Sequence, residues 1–119
     1  MTENPDVLMV CENFGENLLT PEEGERLRAV AYSALSTAKD LTLDFAGVRI
    51  VSSAFLNAAI GRLYADLSAE TIKTHLKVRK LSEIGLFTLK RVVDNSKAYY
   101  ENARFREAAD ASSDPALEA

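Results

Sequence analysis

Ser52 and Ser53 stand where a buried-strand pattern gives way to a helical one, and their hydroxyls are the side chains best placed to do chemistry. The run Leu43-Asp44-Phe45-Ala46-Gly47-Val48-Arg49-Ile50-Val51-Ser52-Ser53-Ala54-Phe55-Leu56 predicts a strand, a tight turn and a helix opening at the serines. A helix N-terminus carries unpaired N–H donors and partial positive charge, so an anion there is stabilised. Phosphorylation of either serine would add a charge of about −1.5 to −2 at a position that tolerates it. The plainer role for both is capping, since serine is among the best N-cap residues, and the two roles are compatible. Asn57 lies one turn beyond Ser53 and faces the same way; it is a candidate to bind a phosphate or partner backbone, or simply a solvated residue. Asp44 is a candidate carboxylate, but no histidine, second carboxylate or metal-ligand spacing accompanies it. Its expected task is to bond backbone amides of the Ser52 turn.

The remaining reactive residues read as structural. His75 is the only histidine and falls in a charged stretch, so a solvent-facing, non-catalytic place is expected. Cys11 follows the apolar run Val7 to Val10 and should be buried. A lone cysteine excludes an intramolecular disulfide and fits a reducing compartment. The net charge of −4, with basic residues scattered, argues against nucleic acid as a partner. No stretch approaches the roughly 18 consecutive apolar residues of a membrane span. Met1 to Asp6 is polar and carries no signal-peptide core, so a cytoplasmic location is expected. No cofactor or metal is expected either.

The elements that must position these residues follow from periodicity. With 119 residues and 47% apolar content, one domain over residues 1–109 and a disordered tail over 110–119 are expected. Val7 to Val10 predicts a strand covered on both faces, extended by Cys11. Thr20-Pro21-Glu22-Glu23 reads as a capping box with proline at the first helical position, opening a helix to Ala38. Its apolar stripe is Leu27, Val30, Ala31, Ala34 and Leu35. Gly24 inside it permits close approach of backbone or ligand. Leu41 to Phe45 predicts a second strand, with Gly47 in the turn out of it. The second helix runs from Ser53 to Leu67, where Gly61 allows close packing. Ser68 to Lys73 reads as a connection and Thr74 to Leu81 as an edge strand, with Leu76 and Val78 facing inward. Ser82-Glu83 opens a third helix with Leu86, Leu89, Val92 and Val93. A last segment, Asp94 to Ala109, carries Tyr99, Tyr100 and Phe105, expected to fold back on the domain. The whole predicts an α/β sandwich: a few-stranded sheet with helices packed on it and an extra C-terminal helix.

These residues also carry a resemblance. Phe14-Gly15, Leu19-Thr20-Pro21-Glu22-Glu23-Gly24, Leu27-Arg28, Leu43-Asp44-Phe45, Gly47-Val48, Ser52-Ser53-Ala54-Phe55-Leu56-Asn57 and Ile60-Gly61-Arg62-Leu63 occur in this order. Together they resemble STAS domains, the fold of bacterial anti-sigma-factor antagonists, and more closely the STAS-like family. The resemblance covers most of the chain from Val7 to Tyr100. In the antagonists, a serine at this helix start is phosphorylated by a kinase with a histidine-kinase-type ATPase fold, which changes the protein the domain binds. Residue by residue, that serine falls at Ser53. The antagonists usually have an acidic residue before it and Gly-Leu shortly after; here Ser52 precedes it, and Ala54-Phe55 follow, so Phe55 alters the surface a kinase would grip.

The resulting expectation is a non-catalytic signalling domain that binds a histidine-kinase-type ATPase or an anti-sigma-type regulator. Its contact surface comprises Ser53, Ser52, Asn57, Asp44 and Phe55, with phosphorylation of Ser53 as the switch. One alternative is a small-molecule or nucleotide sensor holding an anion at the same helix mouth. Another is a hydrolase or transferase with Ser53 as nucleophile, for which no base is recognisable nearby.

Overall fold

The computed structural model describes residues 7–112, with side chains as far as residue 103. Strand β1 is Val7–Met9, and helix α1, Val10–Phe14, follows it directly. After β2, Asn17–Leu18, comes α2, Pro21–Leu35, and then β3, Leu41–Asp44. Strand β4, Ile50–Val51, leads into a composite helix: α3, Ser53–Leu56; a π-helical segment, Asn57–Gly61; and α4, Leu63–Asp66. Helix α5, Ala69–His75, strand β5, Leu76–Arg79, and the long helix α6, Glu83–Ser112, complete the fold. This is a small α/β arrangement with a C-terminal helix, as expected.

The main sheet is three-stranded and parallel, in the order β1-β3-β5. Leu43 sits at its centre, opposite Leu8 on one side and Val78 on the other. Parallel neighbours cannot be joined by a tight turn, so each connection must carry helix across the sheet. A second, two-residue parallel pair joins β2 to β4, with Leu18 opposite Val51. That pair matters because it delivers the chain to Ser52.

Several expected boundaries move. The first strand stops at Met9; Val10 turns into α1 and takes Cys11, half-buried, with it. β1 is a sheet edge, so Val7, Leu8 and Met9 are each only partly covered, not enclosed on both faces. Helix α2 ends at Leu35, three residues short of Ala38, because Ala38 adopts φ +61° and breaks the helical path. Val30 is 45% exposed, so the buried stripe is the narrower set Gly24, Leu27, Ala31 and Leu35. The connection Ser68 to Lys73 is in fact helix, capped by Ser68, whose Oγ accepts from Thr71 N–H at 3.1 Å. Thr74 and His75 belong to that helix, not to the following strand. β5 is the edge strand foreseen, with Leu76 and Val78 turned inward and Lys77 and Arg79 outward. The two C-terminal helical segments are one continuous helix, in which Leu86 is half-exposed while Val92 is buried. The helix continues through Ser112, past the expected start of the tail at Asp110; residues 113–119 and Met1 to Asp6 lie outside the described residues.

The opening of α2 shows how local chemistry fixes an element. Thr20 is extended, and its Oγ1 accepts from Glu23 N–H at 3.2 Å while donating to Glu23 Oε1 at 3.3 Å. Pro21 then occupies a position whose N–H needs no partner. The core joins α2 and the composite helix to the sheet: Leu27, Leu35, Leu43, Phe45, Phe55 and Leu63 are essentially inaccessible to solvent. Each such side chain contributes about 1.5–3 kcal/mol by leaving water.

Two glycines set how close the helices come. A Cβ on Gly24 would stand 2.5 Å from the Phe55 carbonyl oxygen and 2.8 Å from Ala58 Cβ. One on Gly61 would stand 2.5 Å from Ser96 Oγ. The π-helical segment is therefore held between α2 and α6 with little space on either side. Among the described residues, no helix is long and apolar enough to cross a membrane.

Candidate functional site

The two adjacent serines have different tasks. Ser52 is the N-cap of α3: it is extended, and its Oγ accepts from Phe55 N–H at 3.0 Å. The same hydroxyl donates to Leu19 O at 2.9 Å, and Ser52 N–H donates to Leu18 O at 2.9 Å. Its donor and acceptor capacities are both engaged, tying the helix start to the β2 chain. Ser53 is exposed, and its hydroxyl has no hydrogen-bond partner among the described residues. The cap fixes the helix; the next residue presents a free hydroxyl.

Ser53 lies in a cleft of about 350 Å³ between α3 and α6, lined also by Asn57, Thr88, Arg91 and Asn95. Ser53 and Asn57 thus share a face, as their spacing predicts. Thr88, Arg91 and Asn95 come from α6 and were not anticipated. Their i, i+3, i+7 spacing marks one helix face, but only the docking of α6 on α3 sets it opposite Ser53. Arg91 is exposed and forms no ion pair among the described residues.

Asp44 and Phe55 sit elsewhere. The Asp44 side chain is buried, and its Oδ1 accepts from Ala46 N–H at 2.9 Å while Oδ2 accepts from Arg79 Nε at 2.9 Å. It therefore ties its own turn and β5, not the Ser52 turn. The Ala46 amide first, and then Arg79, hold its carboxyl below the usual range. Gly47, at φ +87°, completes that turn in a conformation L side chains rarely adopt. Phe55 is fully buried and belongs to the core rather than to any contact surface. His75, expected to face solvent, is the last residue of α5 and is mostly covered; its Nδ1 lies 2.7 Å from Asp40 Oδ1. Tyr99 is 67% exposed while Tyr100 packs partly on the core, so only the second folds back. The Phe105 side chain lies outside the described residues.

A charge network ties α2 to the composite helix. Glu25 on α2 accepts from Arg28 at 2.9 Å and from Arg62 at 2.6 Å. The Arg28 hydrogen bond is the main reason its carboxyl lies below the ordinary value. Arg62 follows the π-helical segment, where its N–H donates to Asn57 O at 3.0 Å. Among the described residues, no group of three or more His, Cys, Asp or Glu side chains gathers in a way that could hold a metal ion.

Residues 23–86, more than half of the chain, match the family described as a STAS-like domain of unknown function (DUF4325). The chain belongs to the STAS-like family. The matched span begins in α2 and ends in the first turn of α6, so it contains both serines and Asn57 of the STAS-like domain. Arg91 and Asn95, on the far wall of the cleft, lie beyond it. No curated protein and no solved structure matches this STAS-like domain.

Proposed function

We propose that this STAS-like domain is a non-catalytic regulatory module that docks a protein partner on the face centred on Ser53. The partner is a histidine-kinase-type ATPase or an anti-sigma-type regulator, and phosphorylation of Ser53 changes which one is held. The observation that carries this reading is the division of labour between the serines. Ser52 maintains the helix start, so Ser53 can be modified without loss of the cap. A phosphate there would meet the open N–H groups of the helix start and share its cleft with the Arg91 guanidinium.

The surroundings support a docking face. Ile50 on β4 and Leu19, which directly follows β2, are each about half-exposed beside Ser52. Ile84 and Phe87, 79% and 64% exposed, precede Thr88 and Arg91 by one helical turn on α6. Exposed large apolar side chains beside polar groups are features of surfaces that bind proteins.

The test is affinity capture from native lysate with wild-type, Ser53→Ala and Ser53→Asp baits, reading captured proteins and bait phosphorylation. The expected result is an ATPase or regulator whose capture differs between the two variants while both keep wild-type stability. Equal capture by both, with unmodified wild-type bait, would remove the switch.

A further inference from the structure

At the other end of the seam between the composite helix and α6 lies a second cleft, of about 400 Å³. It is lined by Asn57, Arg62, Asn95, Ser96, Tyr99 and Tyr100. Three features separate it from an accidental surface groove. Ser96 is only 5% exposed, yet its hydroxyl has no hydrogen-bond partner among the described residues. No buried side-chain polar atom there is fully sealed without a partner, so the hydroxyl's remaining access is through the cleft. Its oxygen therefore meets solvent at the cleft, where a ligand can take the place of water as its hydrogen-bond partner.

The second feature is the π-helical turn itself. In a regular α-helix, residues five apart point about 140° away from one another around the axis. Here the wide turn bonds Arg62 N–H to Asn57 O and brings both side chains to one cleft. Segments of this kind occur mostly as local insertions that re-aim side chains, frequently at functional sites. The third is positioning. Arg62 is held by Glu25 through a single guanidinium nitrogen, Nη1, which leaves its other donors available. Tyr99 and Tyr100 meet edge to face, with centroids 4.9 Å apart and planes at 87°, forming an aromatic corner.

We infer that this cleft binds a small molecule made of a planar aromatic ring bearing one anionic group. The ring would lie against the tyrosine corner, the anion would take the free guanidinium donors, and Ser96 with the two asparagine amides would meet its polar edge. One guanidinium, already partly neutralised by Glu25, suits a single carboxylate or phosphate better than a polyphosphate. The site is independent of the Ser53 reading; only Asn57 and Asn95 line both clefts.

The test is a nitrogen-15 NMR titration of the whole chain with 4-hydroxybenzoate as the carboxylate probe and AMP as the phosphate probe. The expected result is saturable shifts in the side-chain amides of Asn57 and Asn95 and the backbone of Ser96 to Tyr100. Which probe binds tells carboxylate from phosphate. Ser96→Ala should weaken binding about five- to tenfold through loss of a hydrogen bond, while its thermal midpoint stays level or rises. Arg62→Gln should weaken it by more than about tenfold through loss of the charged donors. Wild-type affinity in Ser96→Ala, shifts confined to the Ser53 cleft, or no saturable shift with either probe at millimolar concentration would each overturn the inference.

Discussion

Replacing Gly24 by alanine should destabilise the domain, although the same change at an exposed helix position stabilises. Glycine inside a helix costs about 1 kcal/mol relative to alanine, so propensity alone predicts a gain of that size. The packing predicts the reverse. The added Cβ would stand 2.5 Å from the Phe55 carbonyl oxygen, 2.8 Å from Ala58 Cβ and 3.1 Å from Ala59 N. Favourable carbon contacts lie at about 3.5–4.0 Å, so α2 and the composite helix would have to separate by close to an ångström. Two of the three atoms are backbone and cannot rotate away. Overpacking of this kind costs about 1–3 kcal/mol, and rigid neighbours favour the upper part of that range. The net expectation is a loss of about 1–2 kcal/mol, or about 4–8 °C in the thermal midpoint. Urea denaturation followed by far-ultraviolet circular dichroism measures it, provided the slope matches wild type. Gly61→Ala is the internal comparison: two of its three close neighbours are the Ser96 and Asn57 side-chain oxygens, which can swing aside, so its loss should be smaller. A Gly24→Ala midpoint equal to or above wild type would refute the close-packing argument.

Three further outcomes follow from the same geometry. Ser52→Ala should cost about 1–2 kcal/mol through loss of the α3 cap, whereas Ser53→Ala should stay within about 0.5 kcal/mol of wild type; paired urea titrations distinguish them. Phe55→Ala should cost about 3–5 kcal/mol because the ring is fully buried, a large share of a typical domain's stability, so a melting experiment should show a broad loss of structure rather than a selective loss of partner binding. Stability should also fall in acid. The carboxyls of Asp44 and Glu25 are lowered in the folded state from ordinary values of 3.8 and 4.5, so the folded state favours their ionised forms. Their contribution is present at neutral pH and is lost as pH falls below those ordinary values through the folded ones. Thermal midpoints across that window should drop less steeply in Asp44→Asn than in wild type, and parallel curves would show that Asp44 has no part in it.

The features legible in the sequence were those governed by nearest neighbours. The capping box at Thr20, the proline at the start of α2, the turn at Gly47 and the inward pair Leu76 and Val78 all depend on a few adjacent residues. The helix opening at the two serines was equally visible, and so was the shared face of Ser53 and Asn57. Ser68 to Lys73 was misread because its cap is a lone serine and its apolar content is one buried residue, Ile72, too little to show a period. β2 and β4 were missed because two-residue strands carry no alternation.

What the tertiary structure decided was which side chains meet. The sequence establishes a STAS-like chain with a capped, serine-bearing helix mouth. The resemblance points to Ser53, but local pattern does not say which serine is tied up as the cap, because that is made by Leu19 O, which is 33 residues away and comes within reach only through the β2–β4 pairing. Nor does it place Arg91 and Asn95 opposite Ser53, since that depends on α6 docking against α3. The π-helical turn belongs to the same class: Gly24 and Gly61 let α2 and α6 close on that segment, and the widened turn carries Arg62 round to Asn57. Local pattern fixes which way a residue faces along its own element, but only packing between elements selects what it faces.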